Sequence, residues 1–302
     1  MFASLLMAAL VQTIVVPLYK DHPKADRPIA PIETAGPAFA VACNGSEDWD
    51  KPAPPVRIHG NTYLVGTCGI SSILITGSDG HVLIDGGTEA GADVIANNVR
   101  RLGFKLTDIK YLLHSHEHFD HVGGIARLQQ LTGAQLLASP EAAKVFATGA
   151  AGVGDPQAGM HPPFRSAHVD RVLTDGEVVR LGGVALTSIT TPGHTPGALS
   201  WQWVSCDGGV CRTIVYADSL SPISSDKYRF IDHPAYVAAF RAGIRKVAAL
   251  ECDILLTPHP SASNMPDRML GKAPLENPAA CRDYAAAKTK DLDARLAKEG
   301  AK

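Results

Sequence analysis

His114-Ser115-His116-Glu117-His118-Phe119-Asp120-His121 is the stretch on which the reading of this chain turns. From His116 to His121 it gathers three imidazoles and two carboxylates. Zinc takes up nitrogen and oxygen donors of this kind. In extended chain, residues two apart share a face. His116 and His118 therefore point one way as a pair, and Glu117 points the other. Asp120 and His121 come after the chain turns and reach a second position nearby. A polar loop whose histidines merely satisfy backbone groups would account for a single imidazole, but poorly for a cluster of donors.

Working outward, residues 109–113 form an apolar strand that runs straight into the cluster, and Gly123-Gly124 opens a helix over 125–131. The cluster thus lies at the carboxyl end of a strand and the start of a helix, a common place for sites in layered α/β folds. Upstream, residues 56–66 alternate as a strand does. Residues 63–85 read as a β-meander with a turn at Ser78-Asp79-Gly80, ended by Asp85-Gly86-Gly87. A helix over 92–102 is closed by Gly103. Downstream come a strand at 135–138 and a helix from Pro140 to 148. Residues 149–167 hold Gly, Pro, Met160, His161 and Phe164 without periodicity. A loop this long is often functional, and a passive surface loop is the equal alternative. Further strands are expected at 172–173, 177–181, 184–190, 199–204, 213–216 and 253–256, and helices at 236–250 and 280–297.

Two more turns carry histidines at strand ends. Thr191-Pro192-Gly193-His194-Thr195-Pro196-Gly197 mounts His194 between Pro-Gly pairs, and Thr257-Pro258-His259-Pro260-Ser261-Ala262-Ser263 clamps His259 between prolines. His116, His118 and His194 make one metal position; Asp120, His121 and His259 make a second. Three protein ligands with an open place mark a catalytic zinc site rather than a structural one. Such an ion brings its bound water to a pKa of about 7, and two ions about 3.5–4 Å apart can share that hydroxide. Hydrolysis of an acyl or phosphoryl bond follows, with no covalent serine step. His114 sits just before the cluster and reads as a supporting residue rather than a ligand. Strands followed by helix, repeated in two halves with every donor at a strand end, predict two sheets packed face to face with helices outside, in one domain that shares one site.

With 302 residues, 45% of them hydrophobic, the chain can bury a large core. A net charge of -2 and no basic run argue against nucleic acid as a partner. Residues 2–16 are nearly all apolar, too short for a span of about twenty residues, and fit the core of a secretory signal. No Lys or Arg precedes them, and Ala38-Phe39-Ala40 lies far downstream for a cleavage site. Residues 17–42 read as an unstructured leader, so 1–42 is assigned as signal and leader and 43–302 as the functional domain. A cytosolic tail is the alternative. The six cysteines form no Cys-x-x-Cys pair, which points to disulfides and an oxidising compartment. Pairing neighbours in order gives Cys43–Cys68, Cys206–Cys211 and Cys252–Cys281. Cys206 and Cys211 flank Asp207-Gly208-Gly209-Val210, a hairpin tip. Lipid attachment at Cys43 is the alternative there.

His116-Glu117-His118-Phe119-Asp120-His121 resembles the His-x-His-x-Asp-His signature of the metallo-β-lactamase superfamily. The His194 turn, Tyr216-Ala217-Asp218-Ser219-Leu220-Ser221, the His259 turn and residues 60–70 are together similar to subclass B3, over about residues 43–281. That resemblance implies an αββα sandwich of two mixed sheets, two Zn2+ ions, and a monomeric periplasmic protein without stable membrane association. It also implies small-molecule β-lactam substrates: penicillins, cephalosporins and carbapenems, opened by a metal-bound hydroxide. His116, His118 and His194 would hold the first zinc and Asp120, His121 and His259 the second, with Asp120 orienting the hydroxide. Ser219 stands where other subclasses place a cysteine ligand, which leaves Ser219 and Ser221 free for a site water or the drug's carboxylate. The rivals are a glyoxalase II- or lactonase-type hydrolase, in which a carboxylate at or beside Asp218 bridges both metals, and a secreted zinc-binding protein without turnover.

Overall fold

The computed structural model of the protein describes residues 32–301. Its elements in chain order are α1 (Ile32–Cys43), β1 (Val56–His59), β2 (Thr62–Leu64), β3 (Ile73–Gly77), β4 (Gly80–Ile84), α2 (Glu89–Arg101), β5 (Ile109–Leu113), α3 (Phe119–Val122), α4 (Ile125–Thr132), β6 (Gln135–Ala138), α5 (Pro140–Thr148), β7 (Val169–Val172), β8 (Val178–Leu181), β9 (Val184–Thr190), β10 (Leu199–Asp207), β11 (Val210–Tyr216), α6 (Pro234–Ala248), β12 (Ile254–Leu256), α7 (Met265–Met269) and α8 (Ala280–Gly300). One sheet runs β1-β2-β3-β4-β5-β6-β7, the other β12-β11-β10-β9-β8. In the first, β1 to β4 pair antiparallel, and β4 to β7 pair parallel. In the second, only the β11–β12 pairing is parallel. The expected sandwich of two mixed sheets with helices is what the chain builds.

The two-residue period of a strand sorts side chains into layers. Ile73, Ile75, Val82 and Ile84 enter a core shared with Leu199, Trp201, Ile214 and Tyr216 of the other sheet. Their neighbours Leu74 and Leu83 face the opposite way, onto Ile95 and Val99 of α2 and Ile125 and Leu128 of α4. On the far side Val215 and Leu255 meet Phe240 and Ile244 of α6 and Tyr284 of α8. Central strands buried on both faces read as continuous apolar runs, which is why β3, β4 and β5 were legible.

Residues 56–66 are not one strand. Gly60 turns the chain at φ 51, between β1 and β2. A Cβ there would stand 2.5 Å from the Cys206 carbonyl oxygen, so the turn needs glycine both for its left-handed backbone and for the close approach. The expectation of an unstructured leader through residue 42 is corrected over its last part: residues 32–43 form α1, and Phe39 is buried in the inter-sheet core. The apolar stretch 2–16 and the rest of the expected leader up to residue 31 lie outside the described residues. The three disulfides are Cys43–Cys68, Cys206–Cys211 and Cys252–Cys281. Cys43 is therefore not a free thiol.

Candidate metal centre

The site is assembled where β4, β5 and β11 end. Asp85, buried and at φ 66, closes β4. Its carboxylate accepts the Ser115 amide at 2.6 Å, the Ser115 hydroxyl at 2.7 Å and the Tyr216 hydroxyl at 2.6 Å. One side chain thereby pins the end of the cluster's strand to both sheets. Charge-assisted bonds of this kind compensate a buried carboxylate. The Ser115 carbonyl accepts from the Leu199 amide at 2.6 Å, a second tie between the sheets. Nothing in the sequence pattern marks Asp85 as more than a turn residue.

From this fixed point the side chains alternate. His116 and His118 face the same side, with ring centroids 5.0 Å apart, and His194 joins them at 4.6 and 4.9 Å. These three histidines each present a ring nitrogen within 4.8 Å of the others', as do His116, Asp120 and His121 with one donor atom each. Glu117 points the other way. It accepts the Thr195 hydroxyl at 2.6 Å and the Gly197 amide at 2.7 Å, and so braces the turn that carries His194. Burial raises its pKa to about 7. α3 then brings Asp120 and His121 round. His121 Nε2 lies 3.0 Å from Asp120 Oδ2 and 3.3 Å from His259 Nε2, and His259 Nε2 lies 3.5 Å from the same carboxylate oxygen. Donors bound tetrahedrally at about 2.1 Å stand about 3.4 Å apart, so these spacings suit three ligands on one cation. All six donors named from sequence are thus brought to one place.

Four of the five donor histidines are also held by the other nitrogen, while His121 Nδ1 has no hydrogen-bond partner among the described residues. His116 Nδ1 contacts Asp218 Oδ1 at 2.8 Å, His194 Nδ1 the Ser221 carbonyl at 2.9 Å, and His259 Nδ1 the Gly69 carbonyl at 3.0 Å. His118 Nε2 lies 3.1 Å from Asp155 Oδ2. Ligand histidines are oriented in this way. Asp218 therefore lies behind the His116 ring, and it is not placed among the donors as a bridging carboxylate would be. Burial, then the neighbouring imidazoles, keep His116 and His194 far below the ordinary histidine pKa, which leaves neutral nitrogens. Burial opposes ionisation of Asp120, but His121 beside it outweighs that and holds the carboxyl well below the usual range.

His114 is not a ligand. Its Nε2 accepts the Ser139 amide at 3.1 Å, and burial lowers its pKa to about 3. Among the described residues Ser219 Oγ is buried without a protein partner. Ser221 is different. Its hydroxyl accepts from Lys288 Nζ at 2.9 Å and donates to the Ser219 carbonyl at 3.1 Å, so the expectation of a free hydroxyl there is corrected. Beside His118 opens a cavity of about 270 Å³ walled by Phe119, Ala150, Gln157, His161 and Phe164. Trp49 approaches the same wall, 6.0 Å from the His161 ring. Gln157 was not singled out from sequence; an amide in an aperiodic loop gives no signal.

Clustered neutral imidazoles and a low-pKa carboxylate at the strand ends of a two-sheet sandwich define a metallohydrolase. The chain belongs to the metallo-beta-lactamase superfamily, which matches residues 65–259. The MIM-2 metallo-beta-lactamase is 55% identical, with a TM-score of 0.85 over 88% of this chain and 98% of that one. MEM-A1, a subclass B3 metallo-beta-lactamase isolated from a soil metagenome library, is 44% identical, with a TM-score of 0.80 over 84% and 99%. A hydroxyacylglutathione hydrolase of Maricaulis maris (strain MCS10) is 33% identical over 111 residues, 37% of this chain and 34% of that protein. The chain thus spans about a third of that curated relative's length.

Proposed function

We propose that the protein is a zinc-dependent β-lactamase that hydrolyses the lactam amide of penicillins, cephalosporins and carbapenems. His116, His118 and His194 would hold one zinc ion, and Asp120, His121 and His259 a second. The observation that carries this is the convergence of five imidazoles and Asp120 from three separate parts of the chain. The donor set fits zinc: His116 Nε2 is buried with no partner among the described residues, and its other nitrogen is tied to Asp218. Zinc bound there supplies Lewis acidity and a water of pKa about 7.

The chain's own residues do the rest. Asp120, ionised at neutral pH, accepts a hydrogen bond from the attacking water and orients it toward the lactam carbonyl. Ser219 Oγ, without a partner among the described residues, donates to the drug's carboxylate or to a site water. Ser221 and Lys288, bonded to each other, present a cation at the same rim. Residues 149–167 and Trp49 wall the cleft and exclude water from the scissile bond. The expected localisation is the periplasm, for a protein acting as a monomer on a small molecule. Three disulfides support an oxidising compartment, and no helix among the described residues is long and apolar enough to cross a membrane.

Hydrolysis of nitrocefin and imipenem by the zinc-loaded protein, lost with EDTA and regained with zinc, is the expected result. Turnover of a hydroxyacylglutathione thioester without lactam turnover would transfer the site to the thioester hydrolases of the superfamily. The position of Asp218 behind His116 speaks against that second reading.

A further inference from the structure

The loop of residues 149–167 is exposed along most of its length, yet Asp155, Pro156 and Gln157 at its centre are buried. Asp155 is 2% exposed, and its carboxylate oxygens lie 3.1 and 3.3 Å from His118 Nε2. The same carboxylate accepts the Gln157 amide at 2.7 Å, while the Asp155 amide donates to the Gly152 carbonyl and its carbonyl accepts from Ala158, both at 3.0 Å. The Ser225 amide donates to the Pro156 carbonyl at 2.9 Å, and Gln157 Nε2 stands 3.4 Å from His194 Nε2. The loop is therefore not draped over the site. It is plugged into it by its buried centre, and the Asp155 carboxylate there meets an imidazole of the donor set.

A carboxylate on His118 Nε2 keeps the proton at that nitrogen, so the lone pair is left on Nδ1. It also fixes the ring's rotation, as the outer partners of metal-bound histidines do. Binding free energies coupled through one contact are reciprocal. We propose that Asp155 is a positioning residue that couples the 149–167 loop to the metal: zinc at His116, His118 and His194 tightens the loop, and the seated loop tightens zinc. No other carboxylate lies within residues 149–167 to take its place. The inference rests on the metal-site reading above, and it does not depend on which amide or ester is cleaved.

The test uses the full chain and has two arms. In the first, amide hydrogen exchange over residues 149–167 is followed in EDTA-stripped and zinc-loaded wild type. Slower exchange with zinc is expected at the amides of Asp155, Gln157 and Ala158; equal exchange in the two states overturns the proposal. In the second, zinc affinity is measured by competition with a chromophoric chelator for wild type and Asp155→Asn. A loss of about 10–100-fold is expected in the variant, and the zinc-dependent protection of the loop should disappear. Unchanged affinity overturns the proposal. If Asp155→Asn fails to fold, as circular dichroism would show, the wild-type arm still decides. Failure of the wild type to bind zinc at all would instead remove the metal-site reading itself.

Discussion

At the end of β5, His114, Ser115, His116 and Glu117 are all buried, and each is held by a residue distant in sequence: Ser139, Asp85, Asp218 and Thr195. Across the cavity, residues 149–167 have Val153 fully exposed and Gly152, Gly154 and Gly159 with open space around them. One wall of the site is thus fixed from many directions, and the other at its ends, where the Ala167 amide donates to the Phe146 carbonyl at 3.0 Å, and at the buried turn around Asp155. The contrast separates two tasks. Chemistry demands donors held to fractions of an ångström, which only a packed sheet end supplies. Choice among substrates tolerates, and uses, a wall that can be rebuilt without disturbing the core.

The largest break in this comparison would come from the rigid wall. Asp120→Ala removes a donor and the orienting carboxylate together, several kcal/mol of transition-state stabilisation, so kcat/KM for nitrocefin should fall by about a thousandfold or more. Steady-state kinetics at saturating zinc measures it. A loss under tenfold would mean that the cluster is not where the reaction occurs.

Next is Gly197→Ala. A Cβ there would lie 2.8 Å from both Glu117 carboxylate oxygens and 2.6 Å from the Ala142 amide nitrogen. Backbone on one side and a hydrogen-bonded carboxylate on the other cannot both yield. A destabilisation of about 2–3 kcal/mol is expected, read as a shift in the urea midpoint, with zinc affinity falling as the His194 turn moves.

How much of this contrast was legible in the chain follows from where its causes lie. The donors could be read because zinc chemistry restricts residue type and because each donor stands at the end of an apolar run. The strands around them could be read as continuous apolar runs, as in Ile73, Leu74 and Ile75, buried on both faces. Asp85, Asp155 and Asp218 could not, because their roles depend on side chains meeting across separations such as the 102 residues between His116 and Asp218. Ser221 failed for a related reason: its partner, Lys288, comes from a helix 67 residues on. The leader failed over residues 32–42 because Pro37 argues against a helix interior, whereas tertiary burial of Phe39 overrides that propensity.

A smaller effect, in pH, sharpens the comparison. Burial holds His114 neutral with a pKa of about 3, against an ordinary value of 6.5. Between these values the unfolded chain binds more protons than the folded one, so His114 costs stability as pH falls from 6.5 toward 3 and costs nothing above 6.5. At about 1.4 kcal/mol per pH unit, the cost is about 2 kcal/mol at pH 5. His114→Gln should therefore lose less stability than wild type between pH 7 and pH 5, by about that amount, in urea unfolding at the two pH values. Equal losses would show that the residue is not buried neutral.

The smallest expected effect lies on the opposite wall, and its smallness is what it tests. Val153 is 102% exposed, so it buries no apolar surface that a polar residue would forfeit. Val153→Ser should shift unfolding free energy by less than about 0.5 kcal/mol, the usual range for surface sites. Zinc affinity should stay as in wild type, because the loop's grip on the donor set runs through Asp155, two residues away and buried. Any effect should be confined to KM, and to substrates whose apolar side group reaches the loop, by a few-fold at most since a single partly engaged methyl group contributes under about 1 kcal/mol. A fall in kcat with KM unchanged would show that this wall, too, holds the reacting groups in place, and the division between the two would be lost.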